Sequence, residues 1–258
     1  MTRPTKTRAE RARAFIRTGR HAVAAEIVAL PYGAALITPE LPDWRDCNAI
    51  YVERDAGDLD AATLTADSDR LLTGLPEPQI RIEVPAVAAR VSADLAAAGW
   101  ARRSGIYMAF EGAPPVAEDK RVEQVQHARL RPLRTEWLRS ELPLETAVQH
   151  GLVADDRAFA QYPLRAFGGF GPDGRLAAMT LLLGADAPTM MVEDVYTTPA
   201  ARGTGLGAAL VQRAVRTALD EGADLIFLPT ESEGRARALY ERLGFTVLAE
   251  DISFVRGG

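Results

Sequence analysis

The sequence predicts an α/β protein whose two halves each hold a mixed sheet with flanking helices. Segments with strand periodicity alternate with segments of helical periodicity, and both halves end in the order strand, helix, strand, helix, strand. In both halves the last helix of this series meets a glycine followed by an aromatic residue, at Gly99-Trp100 and at Gly244-Phe245. A divergent internal duplication explains this agreement, and two unrelated α/β domains are the alternative.

The composition is that of an average soluble globular protein, with 258 residues of which 47% are hydrophobic and 25% are charged. No apolar run approaches the length of a membrane span, and the basic start of the chain lacks the apolar stretch of a secretory signal. The single cysteine, Cys47, excludes an internal disulfide, and three scattered histidines leave no ligand cluster for structural zinc. We therefore expect a cytoplasmic protein without a metal and without a membrane partner.

Charge is distributed unevenly along the chain. The first twenty residues carry seven basic side chains and one acidic one, whereas the whole chain has a formal net charge of −5. We expect residues 1–21 to form a basic, flexible arm, and an arm that binds nucleic acid is the alternative. The acidic remainder argues against a nucleic-acid groove and suits a cationic substrate such as an amine.

The first half is expected to form a domain over residues 22–113. Two short apolar runs within residues 26–41 predict a hairpin. Pro114-Pro115 and the polar residues after it predict a linker over 114–121. Between them the pattern predicts helices over 61–75 and 87–100 and strands over 48–53, 79–84 and 105–110.

The second half is expected to form a domain over residues 122–258. Two predicted strands flank Pro172-Asp173-Gly174, a strong turn signal, and therefore form a hairpin. The predicted strands are 165–171, 176–184, 189–197, 224–229 and 247–255. The predicted helices are 133–142, 145–160, 206–222 and 233–244.

The segment with the clearest chemistry follows the predicted strand 189–197. There Arg202-Gly203-Thr204-Gly205-Leu206-Gly207-Ala208 places three alternating glycines at the start of an amphipathic helix. Unobstructed main-chain N–H groups at the positive end of a helix, with Arg202 as a nearby cation, predict a phosphate-binding loop. The alternative is a loop without a ligand that needs glycine for its positive φ angles.

Two common phosphate-binding motifs fit this segment poorly. A P-loop requires Gly-Lys-Ser/Thr, whereas Leu206-Gly207-Ala208 closes this loop. Gly203, Gly205 and Ala208 satisfy the looser dinucleotide pattern. A Rossmann domain, however, has this turn after its first strand, and several strands precede it here.

Two motifs together resemble the GNAT superfamily of acyl-CoA-dependent N-acyltransferases. The first is Arg-x-x-Gly-x-Gly after an apolar strand and a proline, and here it runs from Arg202 to Gly207. The second is a helix that ends in Leu-Tyr-x-x-x-Gly-Phe, and here it runs from Leu239 to Phe245. The resemblance covers residues 122–258, and the first half looks like a degenerate copy, as in bacterial tandem GNAT proteins. It implies two GNAT-like acyltransferase domains in tandem, each a twisted central sheet with flanking helices.

The resemblance implies acetyl-CoA as the co-substrate. The pantetheine arm would lie along Val195, Tyr196 and Thr197, and the pyrophosphate would lie on the amides of residues 203–208. The family's tyrosine, here Tyr240, would protonate the departing thiolate. From spacing alone Tyr240 lies on an apolar stripe and is typical of a core aromatic residue.

An amine nucleophile must lose a proton, and a carboxylate is the usual acceptor. Glu193 and Asp194 come just before the strand residues assigned to the pantetheine arm, with side chains expected on opposite faces. One of them is the candidate base or amine-binding group, and Glu193 shares a face with Val195 and Thr197. An ordinary ion-paired strand carboxylate is the alternative.

Other carboxylates are weaker candidates. Glu145 and Asp155-Asp156 lie in the helical region that often covers the acceptor site in the family. Many relatives carry an asparagine that contacts CoA seven residues before the tyrosine, whereas this chain has Glu233. That departure weakens the transfer of this one contact and leaves the phosphate loop unaffected.

The first half departs further from the family. It has Leu95 at the place of Tyr240, and Asp55, Asp58 and Asp60 stand where a pyrophosphate would lie. We therefore expect this half not to bind acyl-CoA, and to complete the acceptor pocket or to pack as an internal pseudo-dimer.

The expected function is acetyl transfer from acetyl-CoA to a primary amine by direct attack in a ternary complex. The acceptor is a small-molecule or a protein amine, without nucleic acid, and the protein is a monomer or a homodimer. The alternative is a non-catalytic module that binds or senses an acyl-CoA or another metabolite.

Overall fold

The structure is a computed structural model that describes residues 6–115, 118–142 and 144–256. Within these ranges the chain forms two compact units. Unit 1 comprises the residues up to 15, 106–148 and 159–249, and unit 2 comprises 16–105, 149–158 and the residues from 250 on. The units therefore do not coincide with the contiguous boundaries 22–113 and 122–258, because some strands and helices contribute to both. Within the predicted linker 114–121, Val116 and Ala117 lie outside the described residues.

The N-terminal segment is a helix, α1 (Arg8–Val23), so the prediction of a flexible arm is wrong from Arg8 onward. Ala12 and Val23 are buried. Its basic side chains form ion pairs with acids far along the chain: Arg11 with Asp224 in unit 1, and Arg17 with Glu53 in unit 2. These ion pairs hold α1 in place. The basic side chains that suggested an arm are therefore paired within the fold. Residues 1–5 lie outside the described range.

Unit 2 contains the strand and helix series predicted for the first half. The elements are β1 (Glu26–Leu30), β2 (Gly33–Ile37), β3 (Ala49–Val52), α2 (Ala61–Leu71), β4 (Gln79–Ile82), α3 (Pro85–Ala97) and the start of β5 (Ala101–Phe110). The predicted hairpin is confirmed as the antiparallel pair β1–β2. Strand β3 pairs with β2 antiparallel and with β4 parallel, so β3, α2 and β4 form a βαβ unit. Helices α2 and α3 pack against the sheet in one apolar core.

Unit 1 contains the elements predicted for the second half and one strand, β6 (Val122–Val125), that was not predicted. They are β6, α4 (Arg131–Glu141), α5 (Glu145–Phe159), β7 (Leu164–Phe170), β8 (Leu176–Leu183), β9 (Thr189–Thr197), α6 (Leu206–Asp220), β10 (Leu225–Glu231), α7 (Arg235–Arg242) and β11 (Phe245–Val255). Helix α5 and strand β11 also contribute residues to unit 2, where Ile252–Val255 pair antiparallel with β4. The predicted hairpin around Gly174 is confirmed as β7–β8.

The sheet of unit 1 is mixed, and helices cover both of its faces. Strands β6, β7, β8 and β9 pair antiparallel in sequence order, and β10 joins β9 parallel after the α6 crossover. Val195 packs into the apolar cluster of α6, whereas the side chains of Asp194 and Tyr196 reach residues of α4. Because neighbouring side chains of a strand point to opposite faces, α6 and α4 cover opposite faces of the sheet.

Among the helices of the described ranges, none combines the length and the apolar character needed to cross a bilayer. The same residues contain no grouping of three or more His, Cys, Asp or Glu side chains that could hold a metal ion.

Candidate functional site

The two parallel strands of unit 1 separate where the predicted site residues begin. Strands β9 and β10 are in register from Thr189↔Leu225 to Met191↔Phe227. Beyond that point β9 continues to Thr197 and β10 to Glu231, but the register ends. A slot therefore opens between the strands beside Glu193. Ligands of α/β proteins commonly bind outside such carboxyl ends of parallel strands.

Strand β9 carries a β-bulge at the start of this slot. Met179 lies opposite Tyr196 and Leu181 lies opposite Glu193, so the single residue between them on β8, Thr180, faces both Asp194 and Val195. Asp194 adopts a φ of +52°. The Thr180 hydroxyl donates to the Glu193 carbonyl oxygen at 2.9 Å. Bulges of this kind redirect side chains and interrupt the ladder, and they are frequent beside active sites.

The glycine loop after β9 has an open surface. Gly205 is the N-cap of α6 with a φ of +85°, and it has no side chain to accept from the first amides of the helix. Those amides have no acceptor within the helix itself. A Cβ atom at Gly203 would meet nothing within 4 Å, and one at Gly205 would meet only Arg121 Nη2, at 3.9 Å. Gly203 and Gly205 have positive φ angles, whereas Gly207 does not. At Gly207 the space for a side chain is restricted instead, because an added Cβ atom would lie 3.4 Å from the Thr197 hydroxyl.

Two arginines flank the loop. Arg202 was predicted, and its Nε donates to the Thr197 carbonyl oxygen at 3.3 Å. Arg121 was not predicted, because it lies at the end of the expected linker. Its Nη1 donates to the Thr204 carbonyl oxygen at 3.2 Å, and its guanidinium is ion-paired with Asp119 at 2.6 Å. The open amides and the two arginines are of the kind that binds phosphate groups, the ligand class that the glycine motif predicts.

Tyr240 lies on α7, which follows β10. The tyrosine is 6% exposed and packs within the apolar cluster of unit 1, with its ring 6.0 Å from that of Phe245. Burial raises the pKa of the Tyr240 phenol, and the charge of Glu193 raises it further. Tyr240 is therefore a core aromatic residue and also lies within the field of Glu193. A phenol with a raised pKa keeps its proton at neutral pH, which is the state a proton donor needs.

The predicted strand residues divide between the two faces of β9. The prediction that Glu193 shares a face with Val195 and Thr197 is wrong: Glu193 lies opposite Leu181, on the same side of the ladder as Tyr196 opposite Met179, because the bulge shifts the alternation by one residue. Val195 and Thr197 lie on the α6 face, where Val195 packs into the cluster and the Thr197 hydroxyl lies beside Gly207. Tyr196 is buried on the α4 face, and its hydroxyl donates to Glu136 at 2.9 Å. Burial, followed by the hydrogen bond to Glu136, raises the pKa of Tyr196. The main chain of these residues borders the slot whichever way the side chains point.

Residues 124–245, which hold the slot, the loop and Tyr240, match the family model described as the acetyltransferase (GNAT) family. The chain carries a GNAT acetyltransferase domain. Over 78 residues it is 44% identical to a mycothiol acetyltransferase from Beutenbergia cavernae, a match that covers 30% of this chain and 26% of that protein. The chain covers from 26% to 60% of the length of the curated relatives that it matches.

Solved structures share the fold of the GNAT domain. A GCN5-related N-acetyltransferase from Kribbella flavida matches with a TM-score of 0.63 at 16% identity, over 98% of this chain and 97% of that one. A tandem GNAT protein from the clavulanic acid biosynthesis pathway matches with a TM-score of 0.54 at 14% identity, over 76% of this chain and 69% of that one. These similarities agree with the predicted fold class, a mixed α/β fold of the tandem GNAT kind.

Several carboxylates near the GNAT motifs in sequence differ in their surroundings. Glu145 is exposed and ion-paired with Arg139 at 2.9 Å, and Glu233 is exposed on the loop before α7. Asp155 and Asp156 belong to the part of α5 assigned to unit 2. Among these carboxylates, Glu193 is the one whose charge raises the pKa of Tyr240.

Arg134 and Glu136 of α4 were not predicted, although they contact Asp194 and Tyr196 of β9. The polar sequence of α4 does not indicate which residues of β9 it contacts.

Proposed function

We propose that the GNAT domain transfers an acetyl group from acetyl-CoA to a primary amine. The observation that carries this proposal is the convergence of three features on one end of unit 1: the slot between β9 and β10, the uncapped glycine loop, and the pair Tyr240 and Glu193. Several similar proteins are named acetyltransferases, which supports acetyl as the transferred group.

In this proposal the diphosphate of acetyl-CoA binds the loop amides of residues 203–208, with Arg202 and Arg121 neutralising its charge. The pantetheine arm follows the main chain of Val195, Tyr196 and Thr197 into the slot. Two features support this arrangement. The loop follows β9, and the end of β9 is paired with β8 but not with β10, so its edge toward the slot has main-chain groups that β10 does not bind.

The chemistry requires one proton acceptor and one proton donor. The amine nitrogen attacks the thioester carbonyl carbon, a C–N bond forms and the C–S bond breaks. Glu193 takes the proton that the amine loses, directly or through water, and Tyr240 gives its proton to the departing thiolate. The Glu193 charge keeps Tyr240 protonated until the thiolate develops. The products are an amide and CoA, and Tyr240 regains a proton from solvent.

The test is CoA release, measured with a thiol reagent when the purified protein is given acetyl-CoA and a panel of primary amines. We expect amine-dependent release, and a Tyr240→Phe variant should lose on the order of 100-fold in kcat while its Kd for CoA changes little. Tyr32→Phe is a matched control, because Tyr32 is also a buried tyrosine whose pKa is raised by burial and by a carboxylate, Asp67.

Two results would contradict the proposal. Equal turnover in wild type and Tyr240→Phe would remove Tyr240 from the mechanism. Tight binding of acetyl-CoA with no transfer to any amine of the panel would favour the alternative, a non-catalytic module that binds or senses an acyl-CoA.

A further inference from the structure

A fully buried ion pair lies directly behind the bulge of β9. Arg134 Nε of α4 and Asp194 Oδ2 of β9 are 2.8 Å apart, and the two side chains are 1% and 3% exposed. Arg134 has further contacts: its guanidinium lies 5.0 Å over the Phe159 ring and its Nη1 is 3.3 Å from His127 Nε2. Burial raises the pKa of Asp194, and the adjacent Arg134 opposes this effect. A charge pair removed from water in this way is costly unless each partner stabilises the other.

The backbone at Asp194 requires support from outside β9. Its φ of +52° lies in the left-handed region, which is unfavourable for residues other than glycine, although aspartate and asparagine tolerate it best. The corresponding strand of unit 2 has no such feature: β3 is in unbroken register with β2 from Ala49↔Leu36 to Val52↔Gly33. The bulge and the buried ion pair therefore occur together in the unit that has the slot.

We propose that the Arg134–Asp194 ion pair holds the β9 bulge and thereby positions Glu193 and the main chain of residues 195–197 for acyl transfer. Arg134 and Asp194 are positioning residues in this inference, since their side chains face α4 and not the slot. The bulge is the point at which Glu193 leaves the regular ladder, so a shift of Asp194 moves the proposed base and the pantetheine-binding strand together. The inference rests on the proposed function and adds the element that sets its geometry.

The decisive variant is Asp194→Gly. Glycine accepts the positive φ without strain, so this variant keeps the backbone conformation accessible while it removes the carboxylate. We expect kcat to fall on the order of 100-fold, because a displacement of the reacting groups by about 1 Å has an effect of that size. The Kd for CoA should change by less than about twofold. Amide hydrogen exchange across residues 190–197 should become faster in the same variant. Asp194→Asn keeps the left-handed preference and an oxygen acceptor for Arg134, and should recover part of the lost kcat.

The control for general destabilisation is Arg81→Met in unit 2. Arg81 is 11% exposed and forms ion pairs with Asp46 and Asp251, each at 2.7 Å, so its loss also breaks a partly shielded charge network. We expect this control to lower thermal stability and to leave kcat per folded molecule and exchange in β9 unchanged. Arg134→Met is a second variant that breaks the same ion pair from the other side. Asp194→Gly leaves the Arg134 cation buried without its partner, whereas in Arg134→Met the Asp194 carboxyl can take up a proton and become neutral. A similar loss of kcat in both variants therefore assigns the loss to the missing ion pair and not to one unpaired charge.

The outcomes separate the two proposals. An active wild type together with an Asp194→Gly variant of full kcat, or with unchanged exchange in β9, overturns the inference and leaves the proposed function intact. A wild type that transfers no acetyl group overturns the proposed function and the positioning role together. Loss of kcat with faster exchange, in Asp194→Gly and not in Arg81→Met, supports the inference.

Discussion

The two βαβ units of the chain, β9–α6–β10 in unit 1 and β3–α2–β4 in unit 2, share a topology. They differ at the ends of their parallel strands and at the start of the crossover helix, where unit 1 has the proposed CoA site. Strands β3 and β4 are in register over their full length, from Ala49↔Gln79 to Val52↔Ile82. Strands β9 and β10 are in register over three residue pairs and then separate. One unit is closed at the carboxyl ends of its parallel strands, and the other is open there.

The starts of the two crossover helices also differ: α2 has a side-chain cap and α6 has none. At α2 the N-cap is Asp60, whose carboxylate accepts from the Thr63 amide at 2.8 Å. In the preceding loop, Asp55 accepts from the Gly57 amide at 2.9 Å and is ion-paired with Arg90 at 2.7 Å. At α6 the N-cap is Gly205, which offers no side chain. The first helix start is satisfied by the chain's own carboxylates, whereas the second has no side-chain cap, as the proposed phosphate site requires.

The largest expected effect comes from Gly205→Val. A branched side chain at φ +85° covers the amides and strains the loop, and hydrogen bonds to a charged group are worth about 1.5–3 kcal/mol each. The loss of two such bonds predicts that CoA affinity, measured by calorimetry, falls about 100-fold or more.

Gly57→Val is the matched control for that variant. Gly57 has a φ of +84° and nothing within 4 Å of an added Cβ, so the backbone strain is similar, but its loop is in unit 2. CoA affinity should remain at the wild-type value. Equal losses in both variants would show that strain, and not the blocked amides, explains the result for Gly205.

A smaller effect is expected from Arg121→Ala. Arg121 lies beside Thr204 and Gly205 on the surface, so its charge attracts the diphosphate through a partly screened interaction. We expect about a tenfold loss of CoA affinity at low salt and a smaller loss at high salt.

Arg90→Ala provides the comparison in unit 2, since Arg90 is paired with the aspartate of the first loop as Arg121 is paired with Asp119. This variant should leave CoA affinity and its salt dependence unchanged. A loss of affinity in Arg90→Ala equal to that in Arg121→Ala would contradict the assignment of the cofactor to unit 1 alone.

The parts of this site that were predictable are those coded by neighbouring residues. The bounds of β9 and the glycine loop at the start of α6 follow from periodicity and from glycine spacing, and both are confirmed. The ion pair Arg134–Asp194 and the contact of Arg121 with Thr204 join residues separated by 60 and 83 positions, respectively, and leave no local signal. For the same reason the sequence predicts a flexible arm where α1 lies, because the acids that pair with the arginines of α1 are distant in the sequence.

The smallest expected effect tests the closed helix start directly. Asp60→Ala removes the N-cap of α2 and exposes the Thr63 amide, so thermal stability should fall by a small amount, measured as the unfolding temperature. Hydrogen bonds from the Thr63 amide and hydroxyl, and to a smaller extent from the amide of Asp60 itself, lower the pKa of the Asp60 carboxyl. This contribution is therefore present above the carboxyl's unfolded pKa and is lost as pH falls through the lower folded value. Wild type and Asp60→Ala should accordingly converge in stability in acid.

The affinity of Asp60→Ala for CoA should not change, because removal of one carboxylate leaves β3 and β4 fully paired, so that no slot opens between them. A gain of CoA binding in Asp60→Ala would contradict the prediction that the closed strand pair is enough to prevent CoA from binding unit 2.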